Sequence, residues 1–261
     1  MTISRFLNEL KQRNLILWGV GWFNIILFLF ALTMYFFDDT IVMGINAWIK
    51  PMKFTLSITI YVWTFGWLMK ELKPRFTRWV NVLSLIIALS MLIEILVIVY
   101  QAWRGVRSHF NIENAFDGSL FGIMGLMIAI NTVCIVLVAL LIFIIDSKAK
   151  SSYIWAIRLA MIIFIFANWV GGYMIGNRAH SIGGEDGGPG LPFLNWSINH
   201  GDLRAAHFFG LHSIQFIPIV GYLMRKKTDA LPVVWVFSIL YAAILGLVFY
   251  VAFTGRALIG G

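Results

Sequence analysis

The sequence predicts an all-α integral membrane protein: a bundle of seven transmembrane helices, N-terminus cytoplasmic and C-terminus outside. Three observations lead there. Of 261 residues, 60% are hydrophobic and only 12% are charged, about half the charged share of a soluble domain. The apolar residues gather into seven runs, and spanning a ~30 Å hydrocarbon core takes roughly 20 of them. The cations fall between the runs. Such a composition excludes a soluble globular domain, a disordered chain and a disulfide scaffold. A net charge of +8 would suggest nucleic acid in a soluble protein. No basic-aromatic nucleic-acid module is present, so the cations are read as setting orientation.

The spans run over about 15–37, 53–70, 79–103, 120–146, 152–175, 204–224 and 231–253, in one membrane domain over 1–261. In hydrocarbon each backbone group must be satisfied within its own segment, which calls for helices. The runs are continuously apolar and do not alternate, which argues against strands. The first run exceeds a signal-peptide core and lacks a small-residue cleavage site, so it reads as a retained helix. With the N-terminus inside, twelve Lys and Arg lie on inner segments, Arg5, Lys11, Arg13, Lys148 and Lys150 among them, against seven outside. That excess gives the orientation and, in a bacterium, the inner (plasma) membrane. The one cysteine, Cys134, lies within a run and excludes an internal disulfide.

A faint repeat is visible. Lys53-Phe54 opens the second span, which ends Trp67-Leu68-Met69-Lys70. His207-Phe208 opens the sixth, which ends Tyr222-Leu223-Met224-Arg225. Trp79-Val80 and Trp235-Val236 then open the following spans. The pattern suggests a parallel duplication of three helices either side of a linking helix, an arrangement that some sugar transporters use.

The polar residues within the spans carry the functional reading. Glu94 sits in IALSMLIEILVIVYQAW, where a carboxylate costs about 2.5–3.5 kcal/mol and must face the bundle, protonated or paired. Gln101 is seven residues on and shares its face. At ~1.5 Å per residue, Glu94, His212, Asn131, Asn168 and Gln215 all fall ~10–16 Å below the outer ends of their spans. Pro218 removes a backbone donor and frees the carbonyl of Ile214, predicting a kink just beyond Gln215. All five histidines lie on or near the outer side. Glu94 and His212 are the candidate catalytic pair. His109, His207 and His212 are the candidate metal ligands, with zinc or haem as the cofactors that histidine and carboxylate would suit. Lys53, Arg104, Arg107 and Arg204, with Lys50, Arg178 and Arg256, form a candidate cationic rim for a carboxylate or phosphate, or else solvated charges several of which pair with Glu113, Asp117, Asp186 or Asp202; Gln101, Asn131, Asn168 and Gln215 are further candidate ligand contacts. Asp202 is placed to cap the sixth span. The Gly-rich stretch 176–203 reads as a lid or as a plain linker. His207 and His212 are five apart, unlike the HxxxH pair of the seven-span lipid hydrolases, and span seven lacks the central lysine of microbial rhodopsins.

Three functions remain open on this evidence. One is a metal- or haem-dependent membrane enzyme acting on a small-molecule or lipid ligand. Another is a proton-coupled carrier or receptor for a small anionic or zwitterionic solute. The last is a structural subunit whose polar residues only lock helices together.

Overall fold

The computed structural model describes residues 2–145, 151–228 and 230–260. Lys148 and Lys150, counted above among the inner cations, lie outside them. Helix makes up 75% of the chain, and each predicted apolar run falls on helix. Among the described residues, five helices are long and apolar enough to cross a membrane: Leu15–Phe37, Arg75–Trp103, Ala115–Ile144, Ser152–Asn177 and Ala230–Phe253. The other two runs differ. The second is a helix of 20 residues whose first turns carry Lys50 and Lys53. The sixth is two helices of 9 and 12 residues.

The chain divides into two compact units, Met1–Val138 and Ala139–Gly261. The first opens with a short helix that hydropathy does not reveal, α1 (Ile3–Arg13), followed directly by α2 (Leu15–Phe37). Asn14 separates them. Its Oδ1 accepts from the Leu17 amide at 3.1 Å and caps α2, and its Nδ2 donates to Ser84 Oγ at 2.6 Å. Two strands, β1 (Ile41–Val42) and β2 (Ile45–Asn46), then pair antiparallel. Met43 and Gly44 at the turn between them both have positive φ, which a two-residue hairpin requires. Next come α3 (Ile49–Leu68) and, after a 3-10 turn at Met69–Leu72, α4 (Lys73–Trp103), which departs from helical geometry at Phe76. Within this unit α2 packs mainly against α3, and α4 packs on both. Helix α5 (Ala115–Ile144) runs across the unit boundary.

The second unit has α6 (Ser152–Asn177), then β3 (Ser181–Ile182) paired antiparallel with β4 (Gly201–Asp202), then α7 (Leu203–Leu211), α8 (Ser213–Met224) and α9 (Ala230–Phe253). Here α6 packs on α7 and α8, and α9 packs on all three. The order α2, strand pair, α3, α4 within the first unit parallels α6, strand pair, the broken helix α7–α8, α9 in the second. The interruption of the sixth run lies at His212 (φ −77°, ψ −4°), about a turn and a half before Pro218 rather than just beyond Gln215. The helix accommodates the proline ring by loosening upstream of the carbonyl that it crowds.

The two units bury the same faces. In α3 the buried positions include Pro51, Thr55, Ile58, Thr59, Val62 and Gly66. In α7 and α8 they include Ala206, Gly210, Ser213, Ile214, Ile217 and Gly221, each 155 positions further on. The last of each set opens Gly-Trp-Leu-Met-Lys and Gly-Tyr-Leu-Met-Arg. Both glycines let the second helix approach the first closely. A methyl on Gly66 would meet Asn14 and Leu17, and one on Gly221 would meet Ser152, Tyr153 and Ala156. A hydroxyl of the second helix also reaches a carbonyl of the first: Thr59 to Gly21 at 3.4 Å, and Ser213 to Ala160 at 3.0 Å.

The third helices repeat as well, in a different register from the one the tryptophans suggest. Val80 is fully buried while Val236 is 58% exposed, so Trp79-Val80 and Trp235-Val236 are not equivalent. The buried set Val80, Ser84, Met91, Glu94 and Ile98 recurs 154 positions on as Val234, Ser238, Leu245, Val248 and Ala252. Ser84 donates to the Val80 carbonyl at 2.6 Å, and Ser238 to the Val234 carbonyl at 2.7 Å. Both helices end in the same glycine turn. Gly105 and Gly255 have positive φ, and the amides of Val106 and Arg256 return to the carbonyls of Gln101 and Val251, closing a Schellman motif.

Candidate functional site

In the first unit the structure brings Glu94 and His109 together. Glu94 lies on the buried face of α4, only 3% exposed. After the Schellman turn at Gly105 the chain folds back, and Phe110 takes a left-handed conformation. This turns His109 so that its Nε2 lies 3.6 Å from Glu94 Oε1, within ion-pair reach but too far for a good hydrogen bond. His109 Nδ1 is 3.1 Å from Ser108 Oγ, and the ring packs against Phe54 and Phe121. The other carboxylate oxygen of Glu94, Oε2, is buried with no hydrogen-bond partner among the described residues. Lys50, at the start of α3, acts on Glu94 electrostatically and lies over the Phe54 ring. Lys53, one turn further along α3, is half-buried. A buried acid with one oxygen unsatisfied, a histidine facing the other and a cation in range can exchange a proton or accept a donor from a ligand.

The rim expectation fares differently. Gln101 Nε2 donates to Asp117 Oδ1 at 2.9 Å, and its Oε1 accepts from Arg104 at 2.6 Å. Arg104 also pairs with Asp117. Asp117, Glu113 and Asp202 are the carboxylates that the sequence offers the rim arginines as ordinary ion-pair partners, and each is used in that way. Asn114-x-x-Asp117 is a capping box at the start of α5, with the Asp117 amide on Asn114 Oδ1 at 2.9 Å and the Asn114 amide group on Asp117 Oδ2 at 2.6 Å, a spacing readable in the sequence. The polar atoms of Gln101 and Arg104 thus tie α4 to α5. Arg107 pairs with Glu113 at 3.3 Å on the surface. Asn131 accepts from the Tyr61 hydroxyl at 2.9 Å, a bond that ties α5 to α3.

In the second unit the polar residues bond within their own helices or to a neighbouring one. His207 Nδ1 lies 2.7 Å from the Ala167 carbonyl, and its ring fills the space beside Gly171. His212 sits at the helix break, its Nδ1 3.2 Å from Gln215 Oε1 and its ring 4.4 Å from that of Phe208. Asn168 bonds the Phe164 carbonyl of its own helix at 2.8 Å. Asp202 caps α7 as expected, accepting from the Arg204 amide at 3.0 Å, and pairs with the Arg204 guanidinium. His207 and His212 face different neighbours. Glu94 and His212 belong to different units, so the structure gives no account of them as a pair. Among the described residues no group of three His, Cys, Asp or Glu could hold a metal ion, so the expected metal centre finds no support.

The Gly-rich stretch is held by specific bonds. Asp186 accepts from the amides of His180 and Ser181 and contacts His180 Nδ1 at 2.8 Å. Trp196 is 8% exposed and packs on Phe208 and Phe209. Gly201 lies so close to the Ala252 carbonyl that no side chain fits there. Burial works to raise the Asp186 pKa, but the His180 and Ser181 bonds and the His180 charge outweigh it and hold the carboxyl well below the usual carboxylate range. A depressed folded pKa contributes stability that is complete above about pH 4 and is lost as pH falls toward the folded value. Protection of the amides over 180–186, taken relative to the exchange of an unstructured chain at the same pH, is therefore expected to fall on acidification below about pH 4, and at neutral pH in Asp186→Asn. Unchanged exchange in that variant would show that the loop is held by other means.

Comparison with protein families, with curated proteins and with solved structures finds no match to this chain.

Proposed function

We propose that this protein is a membrane carrier for a small anionic or zwitterionic solute, with Glu94 and His109 as its proton-linked binding site. All seven apolar runs cross the membrane in this reading, N-terminus inside. The observation that carries it is the contrast between Glu94 and Val248. They occupy equivalent buried positions of α4 and α9, yet one is an acid with an unsatisfied oxygen and the other a hydrocarbon. The position packs well without a carboxylate, so the insertion cost of Glu94 calls for a reason other than packing. The matching faces of the two units support an internal duplication, the architecture in which substrate and ion sites of many carriers are built. The metal-dependent enzyme reading lacks a donor set among the described residues.

The test is charge movement in proteoliposomes challenged with a panel of amino acids, small carboxylic acids and phosphate esters across a pH gradient. The carrier reading expects a transient current for some member of the panel, absent from empty liposomes and from Glu94→Gln. Silence across the panel, or a current that survives Glu94→Gln, contradicts it.

A further inference from the structure

A second site lies at the other end of the first unit, away from Glu94. Helix α1 is fixed along one side. Leu10 is fully buried, the Phe6 ring stacks on Trp67 at 5.1 Å, and Arg13 pairs with Glu9, donates to the Trp67 carbonyl at 3.2 Å and lies over the Trp67 ring. Its other side opens on a groove of about 450 Å³ lined by Ile3, Ser4, Leu7, Asn8, Trp18 and Trp22. Ile3, Leu7, Asn8 and Lys11 recur at a spacing that places them on one face of α1. Four of the six lining residues are apolar, Ser4 and Asn8 are polar, and Lys11 lies one turn beyond Leu7 and Asn8 on the same face.

Two groups at that end lack a partner for their chemistry. Lys11 Nζ lies 5.2 Å from the centre of the Trp18 ring and makes no ion pair among the described residues. Trp18 Nε1 is a buried donor with no acceptor among the described residues, although the Trp18 carbonyl is satisfied by Trp63 Nε1 at 3.2 Å. An ammonium over the indole ring and a buried, unsatisfied indole N–H on the same side chain are both donors of the kind that an oxyanion takes. The groove leading to them is complementary to hydrocarbon, and α2 starts immediately after, at Leu15. A short helix with one apolar face and several cations is also the form of an interfacial segment.

We propose that the groove between α1 and α2 binds an anionic glycerophospholipid, its phosphate held by Lys11 and the Trp18 indole N–H and its acyl chains laid along Ile3, Leu7 and Trp22. The site is independent of the carrier reading and rests only on the chain being embedded in a membrane. An inorganic phosphate would satisfy the two donors but leave the apolar lining, with Ile3 at 80% exposure, uncovered. A zwitterionic lipid would cover the lining, but its choline would offset the charge that Lys11 recognises.

The experiment is thermal unfolding of the full chain in non-ionic detergent, titrated with dihexanoyl-phosphatidylglycerol, dihexanoyl-phosphatidylcholine or inorganic phosphate. The anionic lipid is expected to raise the midpoint saturably and the other two to leave it unchanged. Lys11→Gln and Trp18→Phe should each weaken the apparent Kd at least about fivefold, the effect of one lost charge-assisted bond. Arg5→Gln removes one charge from α1 outside the groove and should change nothing. Equal effects of the two lipids, a full effect of phosphate alone, or a loss in Arg5→Gln matching that in Lys11→Gln would overturn the site.

Discussion

Glu94→Gln is expected to abolish solute-driven charge movement, by about 100-fold or more, while the protein folds and inserts normally. The magnitude follows from the loss of a positioned proton donor and acceptor, which contributes roughly 10²–10⁴-fold where it is used. Folding is expected to survive because the amide is nearly isosteric and keeps an oxygen for His109. The carboxylate also makes no bond through Oε2 that the substitution would break. His109→Ala should give a smaller loss, since it orients the acid from 3.6 Å and does not bear its proton. If Glu94→Gln instead lowers stability and leaves transport intact, Glu94 is a helix-locking residue and the binding site lies elsewhere.

A large loss of stability is expected from Gly221→Ala, at the packing of α6 on α8. The added methyl would sit 2.4 Å from Ala156 Cβ, 2.9 Å from the Ser152 carbonyl oxygen and 3.1 Å from Tyr153 Cα. These are backbone atoms and a Cβ, so no rotamer change relieves the clash. Helices α6 and α8 must separate, at an overpacking cost of about 1–3 kcal/mol. Gly66→Ala is the matched control. Its methyl would meet Leu10, Asn14 and Leu17 at 3.3–3.4 Å, contacts that small shifts relieve, and alanine gains ~1 kcal/mol of helix propensity. Thermal unfolding in detergent should therefore show a clear drop for Gly221→Ala and little change for Gly66→Ala. Equal effects would mean that the two helix pairs are not packed as described.

Much of the fold was legible because hydrophobicity reports helices directly in a membrane protein. The run 15–37 coincides with α2. Helix α1 was not legible, because eleven residues with three cations and an acid do not look like a span. Its signal was the spacing of Phe6, Leu7 and Leu10. The kink was placed from Pro218 alone, whereas the helix loosens at His212. The repeat was visible in its second helices and misaligned in its third. Tryptophans at span ends follow a general interfacial preference, whereas the buried faces record packing. Glu94 stood out as an acid among hydrocarbon. The sequence reading paired it with His212; its contact with His109 was not legible, because it depends on a glycine turn and a left-handed Phe110 that fold the chain back. Gln101 and Arg104 read as ligand contacts as well as pairing partners because the sequence offers Asp117 as one of several carboxylates and does not show that it closes on both of them.

The most direct test of the central claim is infrared difference spectroscopy of the reconstituted protein, recorded with and without a solute that drives current. The account predicts a carboxyl C=O band that changes when the solute binds and is missing from Glu94→Gln. A wild-type difference spectrum with no carboxyl band, or one that Glu94→Gln leaves intact, would contradict a proton held at Glu94 as the link to transport.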